Sequence, residues 1–158
     1  MNNIFIKTLT FFLIIGLSAC SYKPIFSEQN YGFEIEKIIL SGEKNINRII
    51  NSKLKSIKSD GENQKESYTL EIQSKKIREI VSKDSKGDPL KFKMIILIEY
   101  KLSKKGNLIL RNKIEKNNIY NNDTDKFELE QTEDIILEKL TGSISDSLIS
   151  SIINLDDN

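Results

Sequence analysis

Apolar and polar residues alternate most cleanly in KFKMIILIEYKL, residues 91–102. Phe92, Met94, Ile96, Ile98, Tyr100 and Leu102 share one side of an extended chain, and Ile95 and Leu97 lie on the other. A period of two marks a β-strand, and apolar residues on both sides point to a middle covered on two faces. SYTLEIQS, residues 67–74, alternates in the same way, with Tyr68, Leu70 and Ile72 on one face. This strand continues to Val81, and its parity changes near Lys75 and Lys76, where a bulge is expected. Phe33–Leu40 begins with alternation and ends in an apolar run, predicting a strand closed by Ser41-Gly42. Leu108 to Tyr120 reads as a fourth strand, amphipathic and highly charged. Lys86-Gly87-Asp88-Pro89 and Lys104-Lys105-Gly106-Asn107 read as the turns between strands.

Two segments carry the longer period of a helix. Ile46, Ile49, Ile50, Leu54 and Ile57 recur at steps of three and four, predicting a helix over 45–58 with Asn45 as its N-cap. Leu137, Leu140, Ile144, Leu148, Ile152 and Leu155 mark one stripe of a long helix over 128–155. Gly142 lies in its middle, where it costs about 1 kcal/mol against alanine and offers a point for a kink. The stripe reads as core packing, with a partner groove or a membrane surface as the alternative.

The order is β-α-β-β-β-α. Strands adjacent in sequence form hairpins, and two striped helices cover one face. The predicted fold is α+β, a two-layer sandwich whose four-stranded sheet is mostly antiparallel, with both helices on one face.

The N-terminus has no such period. Thr8 to Ala19 is apolar or small, and Lys7 is the one charge before Cys20. About a dozen residues is too short for a membrane-spanning helix, which needs roughly 20, but suits a secretory signal. Leu17-Ser18-Ala19-Cys20 resembles the bacterial lipobox, an aliphatic residue and two small ones before cysteine. The resemblance implies a diacylated Cys20 thiol, cleavage before it and acylation of the new amine. One acyl chain binds a membrane marginally and two hold it firmly, so three would make release negligible. The alternative is a buried thiol behind an uncleaved anchor. The expected organisation is a signal peptide over 1–19, a lipidated tether over 20–32 and one α+β domain over 33–158. Ser21 after the cysteine favours the outer membrane, periplasmic side, over retention at the inner membrane.

Composition narrows the chemistry. The chain carries 24 Lys+Arg against 23 Asp+Glu, and cleavage would remove Lys7, leaving equal numbers. A general nucleic-acid binder would be strongly basic. With one cysteine and no histidine, an intrachain disulfide is excluded, and zinc, iron–sulfur and His-based catalytic sites lose their usual ligands. No cofactor, catalytic residue or metal ligand is assigned. Asp123, Asp125, Glu128, Glu130, Glu133 and Asp134 cluster before and within the last helix. They lack EF-hand spacing, and acids at a helix N-terminus suit its dipole. The expectation is a non-enzyme.

Three features together resemble the lipopolysaccharide-assembly lipoprotein LptE family, in its alphaproteobacterial form. They are the opening CSYKPIF at 20–26, the β-α-β-β-β-α order, and the ending NNIYNNDTDKFELEQTEDIILEKLTGSISDSLISSIINL. The resemblance implies a plug and assembly partner for the LptD β-barrel, which delivers lipopolysaccharide to the outer leaflet. Partners would then be that barrel, lipopolysaccharide and, through the Cys20 anchor, the membrane. A different lipoprotein adaptor, such as an accessory subunit of barrel assembly, and a lipid shuttle are the alternatives. Basic side chains can pair with lipid A phosphates. The candidates are Lys75, Lys76 and Arg78 on the second strand, then Arg111 and Lys113 on the fourth. The competing reading is that these charges solvate the open face.

Overall fold

A computed structural model describes residues 33–56 and 66–155. The signal segment, Cys20 and the tether lie outside the described residues, as does the predicted helix end near Lys58. The elements are β1 (Phe33–Gly42), α1 (Lys44–Ser56), β2 (Glu66–Lys83), β3 (Pro89–Lys104), β4 (Asn107–Asn121) and α2 (Lys126–Ile153). The strands form one sheet in the order β1-β2-β3-β4. β1 pairs with β2 in parallel, and the other two pairings are antiparallel. The α+β two-layer reading holds, as a mixed sheet with two helices. A parallel pair needs a crossover connection, and α1 supplies it.

β3 is the axis of the core. Met94, Ile96, Ile98, Tyr100 and Leu102 are almost completely buried on one face. Ile46 and Ile50 of α1 and Ile144, Leu148 and Ile152 of α2 pack in the same cluster. The Tyr100 hydroxyl, at the bottom of this core, donates to Ser151 Oγ at 2.8 Å, so its burial leaves no orphaned donor. In β1 the register slips between Ile35 and Lys37. The slip places Ile38 and Leu40 against the core alongside Ile35 and accounts for the mixed pattern of that strand.

Three expectations need correction. The β2 register against β3 runs unbroken from Tyr68 to Ile80, with irregularities only around Ser82; there is no bulge at Lys75–Lys76. Parity never changes. Leu70, Ile72, Ser74, Lys76, Arg78 and Ile80 are opposite the inward residues of β3, while Lys75, Ile77 and Glu79 are opposite Leu97, Ile95 and Lys93. What changes at Ser74 is the cover: β1 ends there, and the chain turns back into α1. Asn45 is not the N-cap, because α1 starts at Lys44 and the Glu43 carbonyl accepts from Asn47 N–H at 3.0 Å. The long helix begins at Lys126, two residues early, because Asp125 caps it by accepting from the N–H groups of Phe127 and Glu128. It runs through Gly142 to Ile153 without interruption.

Both hairpin turns use the residues their geometry demands. Lys105 and Gly106 have φ of 49° and 83°, the left-handed pair of a type I′ turn. Asp84 accepts from the N–H groups of Lys86 and Asp88 and so braces the other turn.

The tightest point is the β1–α1 junction. Gly42 has φ +93°, and a Cβ there would lie 1.9 Å from Ser74 O. Ser74 Oγ accepts from Glu43 N–H at 2.9 Å and bonds Asn47 Oδ1 at 2.8 Å. Gly42→Ala should therefore destabilise by at least about 3 kcal/mol. Gly106→Ala, with φ equally positive but open space around it, should cost only about 1–2 kcal/mol. Urea unfolding of the two variants checks the ranking.

Candidate functional site

The five basic candidates do not form one patch. Successive residues of a strand point to opposite faces, so Lys75 projects on the open face and Lys76 and Arg78 on the helix face. Arg78 is already engaged. Its Nε lies 3.1 Å from Glu133 Oε1 of α2, and its guanidinium sits 3.7 Å from the Phe92 ring centroid. The Tyr120 hydroxyl donates to the same Glu133 oxygen at 2.6 Å, and the Phe92 and Tyr120 rings are 5.8 Å apart. These four residues pin the first half of α2 to β2, β3 and β4. Arg78 is held in this network, and no sequence signal linked it to an acid 55 positions away.

Arg111 and Lys113 do share a face, the open one. The register lays out rows across it: Glu71, Lys101 and Arg111, then Gln73, Glu99 and Lys113, then Lys75, Leu97 and Glu115. Strands spaced about 4.8 Å apart make each row about 10 Å wide. Lys101 Nζ lies 4.0 Å from Glu71 Oε2, a loose exposed pair. Glu71, Lys101, Arg111, Gln73 and Glu99 of the first two rows, with Ile39 and Ser41 of β1, line a shallow depression; Lys113 lies outside it. Lys101 thus joins Arg111 and Lys113 although only register, not sequence spacing, brings it there. Beyond these rows the face mixes apolar and polar residues. Ile77 is opposite Ile95, and Ile95 is only 7% exposed although no described element covers it.

Among the described residues, no three acidic, cysteine or histidine side chains are placed to hold a metal ion. Asp125 of the acidic cluster serves the helix as its cap, and Glu133 serves the network above. No described helix is long and apolar enough to cross a membrane.

The fold of the described residues is that of a group of small bacterial lipoproteins. No protein-family profile matches the sequence, and no curated protein does. Solved structures do. Rare lipoprotein B from Shewanella oneidensis matches with a TM-score of 0.55 at 20% identity, over 75% of this chain and 98% of that one. A minor lipoprotein from Acinetobacter baumannii gives 0.52 at 16% identity, over 77% and 96%. A lipoprotein B from Nitrosomonas europaea gives 0.53 at 13% identity, over 82% and 91%. At these identities the shared property is the LptE-like fold.

The polar network makes a prediction about alkaline pH. Burial, and then the hydrogen bond and charge of Glu133, push the Tyr120 hydroxyl up from 10.0 to about 12. The fold therefore favours the protonated phenol. The resulting stability is complete below about pH 10 and is lost as pH rises through about 12. Tyr120→Phe should lower stability at neutral pH by about 1.5–3 kcal/mol, the value of a hydrogen bond to a charged group. It should also flatten the decline between pH 10 and 12, read as the difference between the two proteins' unfolding midpoints across that range.

Proposed function

We propose that this chain is a lipid-anchored outer-membrane protein that plugs an LptD-like β-barrel and assists its assembly for lipopolysaccharide transport. The observation that carries this reading is the combination of an LptE-like fold with a lipobox-like Leu17-Ser18-Ala19-Cys20 ahead of it. Neither feature suffices alone. The fold does not name a partner, and the lipobox marks any lipoprotein.

The physics of a plug supports it. The lumen of a wide outer-membrane barrel is polar and wet. A body that fills it needs a solid apolar core inside a hydrophilic skin. Here the main apolar cluster lies between the sheet and the helices, and the open face carries charges of both signs in cross-strand rows. Within that reading, the anionic phosphates of lipopolysaccharide meet Arg111 and Lys113, with Lys75 on the same face. Lys76, on the other face, is a separate contact. Arg78 is withdrawn from that role by Glu133.

The decisive experiment is capture of the tagged full-length chain from detergent-extracted outer membranes of its own host. A large β-barrel protein recovered in comparable amount is the expected result; recovery of periplasmic or other lipoprotein partners without a barrel overturns the plug. Cys20→Ser should shift the protein from the membrane pellet to the soluble fraction. Arg111→Glu with Lys113→Glu should weaken lipopolysaccharide binding roughly tenfold while leaving the thermal midpoint nearly unchanged, since both side chains are exposed. Unaltered binding in that variant removes the pair from the site.

A further inference from the structure

β2 is much longer than its partner on one side. β1 pairs with it only as far as Gly42 opposite Ser74, yet β2 runs nine residues further, to Lys83. Over Lys75–Lys83 the strand has β3 on one side and no described element on the other. The Gly42–Ser74 pinch sends the chain into α1 and away from this edge. Its backbone is left as a template for another strand, a liability that proteins usually blunt with proline, bulges or short edges. This edge, KKIREIVSK, has no proline and no glycine. Its two register shifts are confined to the far end, on either side of Ser82. Ile80, at the end of the regular register, is 50% exposed and Val81, within the shift, 47%.

The charges of the edge are one-sided. Glu79 is paired with Lys93 at 3.7 Å and Arg78 with Glu133. Lys75, Lys76 and Lys83 make no ion pair among the described residues. The available charge is therefore positive, interleaved with apolar side chains. A second copy pairing antiparallel about Glu79 would oppose Glu79 to Glu79 and Lys75 to Lys83, and like charges directly opposite are unfavourable. The outer edge of β4 is also basic on balance, with Arg111, Lys113 and Lys116 against Glu115, but Asn112, Asn117 and Asn118 interrupt it with a residue poor in strands.

We infer that Lys75–Lys83 is a docking edge for an extended acidic segment of a partner protein, which adds a fifth strand in line with β1. Main-chain hydrogen bonds supply the affinity in such additions, and side chains at alternate positions supply the choice of partner. Lys75, Lys76 and Lys83 select acids, and Ile77, Ile80 and Val81 select apolar residues between them. The inference does not depend on the plug reading, because it needs only the edge.

The test uses the full-length chain in detergent micelles and two synthetic peptides, one alternating Val and Glu, the other Val and Lys. Amide exchange is followed along both sheet edges. The acidic peptide should slow exchange of alternate amides in Lys75–Lys83 by about tenfold, leave the β4 edge unchanged and lose affinity as salt is raised. The triple variant Lys75→Glu, Lys76→Glu, Lys83→Glu, at exposed positions, should reverse the preference to the basic peptide. The inference is overturned by any of three results: no protection within Lys75–Lys83, equal protection by both peptides, or self-association of the chain through this edge. Barrel capture can fail while peptide protection succeeds, and the reverse, so the two readings are separable.

Discussion

At the end of β1 the backbones of Gly42 and Ser74 approach so closely that no side chain fits between them. That contact fixes most of what is distinctive in the molecule. It requires a left-handed residue, stops the parallel pairing and starts α1 on the spot. The Ser74 hydroxyl then holds the first turn of the helix through Glu43 and Asn47. A buried serine at an otherwise apolar core position is explained by this duty: it satisfies backbone and side-chain groups that the sharp turn would leave without partners. Because α1 is launched there and packs beside β1, cover over β2 ends at the same row.

The consequence is a helix side closed in two different ways. Beside α1 the layer is apolar, with Ile46, Ile50 and Leu54 set against Leu70 and Ile72. Beyond Ser74 only α2 reaches over the sheet, and at β2 an ion-pair and hydrogen-bond network is added to the apolar contact. Glu133 receives both Arg78 and the Tyr120 hydroxyl, with Phe92 beneath the guanidinium. A carboxylate with two partners can tolerate the partial loss of water there, whereas apolar side chains on an uncovered strand would have been left wet. The network fixes the start of α2 where packing against α1 is missing.

This change of cover explains which features were legible in the sequence. β3 was fully readable, because its inward face is covered along its whole length and the period of two survives intact. The stripe of α2 was readable for the same reason. β2 was misread at Lys75–Lys76, because polar residues appearing on the inward face look like a change of parity when the loss of a neighbour is invisible. The β1–β2 parallel pairing was not read from the sequence, although the helix between the two strands is the crossover it needs. Among the basic candidates, Arg111 and Lys113 are two residues apart on a strand and had to share a face. Lys75 and Lys76 are adjacent and had to diverge, a constraint the run of three basic positions obscured. The Arg78–Glu133 pair and the place of Lys101 depend on register and tertiary contact, which no local pattern carries.

The two ends of the sheet then acquire different roles. The chain enters β1 at Phe33, opposite Glu66. The uncovered run begins at Lys75, nine residues further along β2, or about 30 Å at the usual strand rise. β1 therefore covers the first half of β2, and its termination at Gly42 exposes the second half. One turn separates the two: lengthening β1 past Gly42 would protect the edge but remove the junction that seats α1. The same glycine that lets the core close commits the molecule to an open edge along the second half of β2.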